Sequence, residues 1–316
     1  MSRDRAIAAA CAAAAVAVAL MAPPAHAAQT AQAGGGGAVS FVSSLSAENE
    51  ASGTGDRDGR GLAFLRLRGG RLSFALSFRG VATPVAAVLR EAGKGAGGPV
   101  RIPLFTGRLS AGKTSVSGTV EISGRRVLDA LRRQPNSFSF NLLTERFPHG
   151  AIRGRLHALA EPVDADRALR HSVRAPVVHG AQIYACTRQG DGSYAYTQRD
   201  VRALLEGGIA HFFAAPGPKG PPVWVAPDRS AVTGTVRSKT PNGAGNIPEL
   251  ALDARRSGPP DGRLGQVGEI LRLNTAGGVA PGGACDPAAH PEAAVPYRAD
   301  YVFVGTVRTA GRTTGG

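Results

Sequence analysis

Hydrophobic and polar residues alternate along several short stretches of the chain, a pattern typical of β-strands with one buried face. In residues 72–78, leucine and phenylalanine occupy every second position, with serine or alanine between them. A second apolar run, 62–67, precedes this stretch, and the pair Gly69-Gly70 separates the two. Because two-residue glycine turns join antiparallel strands, these residues predict a β-hairpin.

The alternation recurs through the first half of the chain. Three further stretches, 116–122, 138–142 and 151–156, predict strands. One helix is predicted over 126–134, where apolar residues have helical spacing and Pro135 ends the pattern.

Short apolar runs separated by turns rich in Gly, Pro, Asn and Asp continue through the second half. The 43 glycines and 22 prolines among 316 residues disfavour long helices. The predicted fold class is therefore all-β, with two β-sandwich or barrel-like domains joined by a linker. The second-half runs predict a short turn at 201–205 and strands at 182–186, 209–213, 222–225, 231–236, 268–273 and 297–304.

The chain divides near residue 170 into two units, and its length suits two domains. Residues 159–175 are polar and lack strand alternation, so they are predicted to be the interdomain linker. The low-complexity residues 28–38 and the tail 306–316 are predicted to be disordered. A hydrophobic content of 43% is too high for a wholly disordered chain.

The N-terminus has the pattern of a secretory signal peptide, residues 1–27. Arg3 and Arg5 precede the apolar stretch 6–21, and Ala25-His26-Ala27 is a small-residue cleavage site. The alternative, a membrane anchor, needs about 20 apolar residues, and this run is shorter. We expect a secreted, extracellular protein with no membrane span. Association with the cell wall is a further expectation.

The cysteines predict one disulfide. Cys11 lies within the signal peptide, which leaves Cys186 and Cys285 in the exported chain. Outside the reducing cytosol two cysteines are expected to pair, the alternative being two free thiols.

The formal net charge of +14 raises the question of a polyanionic partner. The basic residues are almost all arginines, scattered along the chain without interleaved aromatic residues. This distribution does not favour nucleic-acid binding. The positive charge predicts at most a weak association with anionic cell-wall polymers.

The first unit resembles the CHRD domain, a module of many secreted bacterial proteins. The resemblance covers residues 39–158 and implies an all-β domain without an established enzymatic role. Typical members carry a His-Ile-His segment where this chain has Val88-Leu89-Arg90, and a histidine where it has Leu143-Thr144, so no metal site is expected here. The matching stretches are 41–50, 61–64, 72–80, 97–104 and the closing segment 147–156 (FPHGAIRGRL).

The second unit resembles DUF3455, a family of secreted bacterial and fungal proteins of unknown function. The resemblance covers residues 176–305 and supplies no activity. Where the family often has Asp-Gly-Ser, this chain has Asp228-Arg229-Ser230, a costly substitution if the turn needs a positive φ. The matching stretches are 180–186, 211–212, 222–224, 228–230, 232–234, 270–278, 285–286 and 295–301.

The candidate ligand-binding residues are His211, Trp224, Asp228 and Tyr297, all in the second unit. Each has a simpler structural interpretation: a core histidine bonded to backbone, a core tryptophan, an Asx turn, and a strand residue near a buried carboxylate. That carboxylate, Asp300, is predicted to form a structural ion pair.

The predicted partner of Asp300 is Arg272, on the preceding strand. The sequence contains no G-x-S-x-G, H-E-x-x-H or P-loop motif, and no catalytic residue, metal or cofactor is assigned. We expect a noncatalytic binding module of unknown ligand. The alternatives are an extracellular hydrolase or lyase acting on carbohydrate or a small metabolite, and a structural or adhesive surface protein.

Overall fold

The computed structural model describes residues 37–50, 54–91, 97–217 and 220–305. The predicted signal peptide 1–27, nearly all of segment 28–38 and the tail 306–316 lie outside the described residues. Strands dominate the rest, in two sheets that follow one another along the chain, so the all-β, two-domain prediction is confirmed.

The first domain is one antiparallel sheet that curls around an apolar core. Its strands are ordered β5-β4-β7-β8-β1-β2-β3-β6, with β9 paired to β1, and the two end strands contact each other. Phe41, Leu65, Phe74 and Phe140 are among the buried residues at its centre. The strands are β1 Val39–Ser46, β2 Arg60–Arg68, β3 Arg71–Arg79, β4 Pro84–Glu91, β5 Val100–Thr106, β6 Ser115–Glu121, β7 Phe138–Thr144, β8 Ile152–Arg155 and β9 His157–Ala158.

The predicted hairpin is β2–β3. Leu67 pairs with Leu72 across a two-residue turn, and Gly69 there has a φ of +59°, a value that residues with a Cβ rarely adopt. The predicted helix is α1, Arg125–Arg133, which buries Leu131 against the first core.

The second domain is a closed antiparallel barrel in which each strand pairs with its neighbours in sequence, and the last strand pairs with the first. Barrels of eight strands have an interior that side chains fill or that holds one small ligand. The strands are β10 Val173–Arg188, β11 Tyr194–Leu205, β12 Ile209–Phe213, β13 Pro222–Val225, β14 Ala231–Thr240, β15 Glu249–Ser257, β16 Val267–Gly277 and β17 Glu292–Gly305.

The prediction of a turn at 201–205 is wrong, because these residues are the second half of β11. Val201 and Leu205 are buried in the barrel, whereas Leu204 on the opposite face is 44% exposed. An exposed leucine next to a buried one hides the two-residue period. β15 is absent from the predicted strands, because its polar end obscures its alternation.

The predicted linker 159–175 is more ordered than expected. It contains α2, Ala165–His171, which is capped by the Asp164 carboxylate (Arg167 N to Oδ1, 2.9 Å), and it ends inside β10. Ala165 and Ala168 pack in one apolar cluster with Val42 and Phe64 of the first sheet and Leu271, Leu273, Val302 and Val304 of the barrel. The two domains therefore share a core.

No helix among the described residues has the length and apolar character needed to cross a membrane.

A buried ion pair joins the same two domains. Arg174 Nη2 lies 2.8 Å from Asp300 Oδ1, and both side chains are 9% exposed. Ser44 of β1 donates to Asp300 Oδ2 at 2.8 Å, and Asn274 Nδ2 donates to the same oxygen at 2.7 Å.

The prediction that Arg272 forms an ion pair with Asp300 is wrong. In the β16–β17 register Arg272 pairs with Tyr301 and Leu273 pairs with Asp300. Neighbouring residues of a strand point to opposite faces, so Arg272 faces the barrel interior and Asp300 faces the first domain.

The predicted disulfide is confirmed. Cys186, near the end of β10, and Cys285, in the loop between β16 and β17, have a Cα–Cα distance of 5.8 Å and an S–S distance of 1.97 Å. The bond fixes that loop to the first strand of the barrel.

Replacing Asp300 with alanine should destabilise the protein by about 3–5 kcal/mol, because Arg174 would remain buried without its carboxylate. Urea unfolding of both proteins measures the difference. The matched control is Glu121→Ala, which breaks the exposed Arg71–Glu121 pair and should change stability little. Equal effects of the two substitutions would contradict the structural role assigned to Asp300.

Candidate functional site

A cavity of about 460 Å³ lies inside the barrel and extends to the loops at one end. This volume is within the usual range for small-molecule sites. Inward-facing residues of β10 to β17 form the wall, and loop residues form the rim. The lining residues are Gln182, Tyr184, Gln198, Val201, His211, Phe213, Gly220, Pro222, Trp224, Val236, Lys239, Asn246, Ile247, Pro248, Leu250, Leu252, Arg272, Val279, Ala280 and Tyr301.

Three aromatic rings form one side of the wall. His211 on β12 and Trp224 on β13 are paired across the strands, and their rings stack with centroids 4.3 Å apart and planes 7° apart. The Tyr301 ring meets both edge-on, at 5.2 Å from His211 and 5.4 Å from Trp224. Side chains at facing positions of adjacent strands thus make this side of the wall a packed and largely apolar aromatic cluster.

His211 is neutral in this environment. Its Nδ1 lies 2.9 Å from the Val223 carbonyl oxygen, which can only accept, so Nδ1 carries the proton and Nε2 is an acceptor. Burial, with a smaller contribution from the positive charge of Arg272, lowers the pKa of His211 to about 3, against the opposing effect of the hydrogen bond to Val223.

Two buried hydrogen-bond donors on the wall have no protein partner among the described residues: Trp224 Nε1 and Gln182 Nε2. Trp224 is 1% exposed and Gln182 is 3% exposed. Gln198 Nε2 donates to Gln182 Oε1 at 2.9 Å, which fixes the Gln182 amide with its NH₂ group unpaired. Leaving a buried donor unsatisfied costs about 1–3 kcal/mol.

The loop between β16 and β17 completes the rim. Tyr184 Oη donates to the Gly278 carbonyl at 2.6 Å, and the adjacent residues Val279 and Ala280 line the cavity. Gly278 has a φ of +81°, and a Cβ there would lie 2.8 Å from Tyr297 Cβ, so only glycine fits. The disulfide at Cys285 holds the same loop.

The structure brings together three of the four predicted site residues. His211 and Trp224 line the cavity. Tyr297 is buried behind the wall, with its hydroxyl 3.3 Å from that of Tyr301, and burial raises the pKa of Tyr297 well above its usual value.

Asp228 does not join this group. It lies in the β13–β14 turn at the other end of the barrel, where its carboxylate accepts from Ser230 N (2.9 Å), Ser230 Oγ (2.6 Å) and Arg263 N (2.6 Å). These hydrogen bonds lower the pKa of Asp228. The Asx-turn interpretation therefore describes this residue, and Arg229 has a φ of +69° in that turn.

Sequence reasoning missed Gln182 and Tyr301 and assigned Arg272 elsewhere. Arg272 lies two positions from the buried Ile270, so strand periodicity places both side chains on the inner face. That periodicity is the signal that could have identified an arginine inside the barrel.

The first domain has its own cavity, of about 610 Å³, beside the buried Glu50. Burial raises the pKa of Glu50 to about 7, against the opposing effects of Arg153 and Asn141. Arg90 lines the same cavity. Among the described residues, no group of three or more His, Cys, Asp or Glu side chains could hold a metal ion.

Comparison with known families agrees with this division of the chain. Residues 41–156 match the CHRD domain, and residues 203–305 match DUF3455, a protein family of unknown function. The second match includes His211, Trp224 and Arg272 but begins after Gln182. No curated protein and no solved structure matched the chain.

Acid should destabilise the protein through His211. Between the unfolded pKa of 6.5 and the folded value of about 3, only the unfolded state binds the proton, so stability falls as the pH falls through this interval. At about 1.4 kcal/mol per pKa unit, the loss between pH 7 and pH 4 is up to about 3 kcal/mol. Urea unfolding at both pH values measures it.

The control for this measurement is His211→Phe, which keeps a ring on Trp224 and cannot titrate. Burial also shifts the pKa values of Glu50 upward and of His157 downward, but these contributions cancel when the two proteins are compared. Wild type should lose more stability than the variant. Parallel pH profiles would show that His211 is not neutral and buried.

Proposed function

We propose that the barrel is a noncatalytic binding module that takes up a small molecule in its interior cavity. The observation that supports this most directly is that two residues lining the cavity carry buried donors without a protein partner, Trp224 Nε1 and Gln182 Nε2. A molecule whose acceptor atoms reached those two nitrogens would stabilise the fold.

The chemistry of the wall supports a ligand with an apolar part. The stacked rings of His211 and Trp224 form one side of the wall, and aliphatic residues such as Val201, Ile247 and Leu252 complete it. Sites for small molecules combine such apolar walls with a few placed polar groups.

The composition of the cavity favours binding over catalysis. None of its described lining residues is Ser, Thr, Cys, Asp or Glu, so the aliphatic hydroxyl and thiol nucleophiles and the carboxylate acids are missing from the described wall. His211 is bonded to a backbone carbonyl and not to the carboxylate that commonly orients a catalytic histidine.

We also propose that the protein is exported. The signal-peptide pattern of residues 1–27 and the Cys186–Cys285 disulfide both fit an oxidising, extracellular environment. The excess of exposed arginine would allow weak attachment to anionic cell-wall polymers, which depends on charge alone and should be weakened by salt.

Trp224 offers a direct test, because it is the only tryptophan of the chain and gives a single indole N–H resonance. A panel of small aromatic and heteroaromatic compounds should contain members that shift this resonance and raise Tm. In Gln182→Leu, which removes one of the two donors, their affinity should fall about tenfold, as expected for loss of one hydrogen bond worth about 1.4 kcal/mol.

The matched control is Phe212→Leu, on the same strand as His211 but facing outward and 39% exposed. It should bind the same compounds with unchanged affinity. If no compound moves the Trp224 resonance, or if Phe212→Leu weakens binding as much as Gln182→Leu does, the proposed function is wrong.

A further inference from the structure

We propose that the ligand of the barrel cavity is a small organic anion, such as an aromatic carboxylate, whose charged group lies against Arg272 and whose apolar body lies among the aromatic and aliphatic residues of the wall. This inference rests on the proposed function and specifies the class of its ligand. Three observations carry it: an arginine without a carboxylate partner, a cavity without acidic groups, and unpaired donors on its wall.

Arg272 places a positive charge inside the barrel. It shares the inner face of β16 with Ile270, and it pairs in register with Tyr301 of the aromatic wall. Its Nε and Nη2 donate to the Pro248 carbonyl oxygen at 3.2 and 2.8 Å. No ion pair among the described residues includes Arg272.

The most shielded ion pair of the barrel shows the usual arrangement. The Arg174 side chain, which is 9% exposed, is paired with the Asp300 carboxylate. A cation removed from water is normally accompanied by an anion, because desolvation of an uncompensated charge is costly. The missing partner of Arg272 is therefore best supplied from outside the chain.

The remaining polar groups of the cavity also favour an anionic ligand. No aspartate or glutamate is among the described lining residues, whereas Lys239 lies at the rim. Trp224 Nε1 and Gln182 Nε2 are donors that require acceptor atoms. A guanidinium and two N–H donors recognise carboxylate oxygens well and would repel an ammonium group.

The apolar part of the ligand follows from the rest of the wall. Most of the lining residues are aliphatic or aromatic, and the neutral imidazole of His211 adds no charge to them. An apolar body enclosed by such residues gains dispersion energy and leaves water. A sugar, with its many hydroxyl groups, would suit this wall less well.

The test compares 2-naphthoate with 2-naphthamide, which have almost the same shape but differ in charge. Calorimetric titration of the wild-type protein at low salt should give at least tenfold tighter binding of the carboxylate. In Arg272→Gln this preference should disappear, with the affinity for the amide unchanged. Arg272→Lys should retain part of the preference, because it keeps the charge but not the planar fork.

The matched control is Arg256→Gln, an exposed arginine at the other end of the barrel, which should keep the full preference. Unchanged Tm values confirm that the variants are folded. Equal binding of amide and carboxylate, or a preference that survives in Arg272→Gln, would overturn the anion assignment and leave the proposed binding function standing. If neither naphthyl compound binds, the anion assignment is also wrong, and the Trp224 resonance decides the binding function separately.

Discussion

The pairing of β10 with β17 is the interaction on which the rest of the second domain depends, because it closes the barrel and so creates an interior. The ladder runs in two stretches, Val173–Pro176 against Asp300–Phe303 and Ala181–Ala185 against Glu292–Pro296, with an irregularity between them. The ion pair between Arg174 and Asp300 lies at one stretch, and the disulfide lies beyond the other. Closure removes the exposed strand edges and leaves a lumen that must be filled.

The two faces of β16 and β17 explain why two domains occur in one chain. On the outer face Leu271 and Val302 are buried against the first sheet and α2, and on the inner face Arg272 and Tyr301 line the cavity. The first domain thus covers apolar surface that a separate barrel would expose. It also stabilises, from outside, the strands that position the cationic and aromatic parts of the wall.

Strand alternation, glycine turns and two cysteines were enough to predict the fold class, the β2–β3 hairpin, most barrel strands and the disulfide. The remainder depends on register, which no local pattern specifies. Whether Arg272 meets Asp300 or turns inward is decided by which residue lies opposite on β17, and a shift of one position would reverse it. Asp228 is close to Trp224 in sequence, but it lies in the turn that follows β13. That turn is at the other end of the barrel from the loops around the cavity.

We propose that the barrel encloses donors whose acceptor is a non-protein molecule. A crystal structure at about 1.5 Å resolution of the protein purified from its native source tests this most directly. We predict non-protein density in the cavity, with acceptor atoms within about 3.2 Å of both Trp224 Nε1 and Gln182 Nε2. A lumen filled by the protein's own side chains, with both donors bonded to protein oxygens, would contradict it.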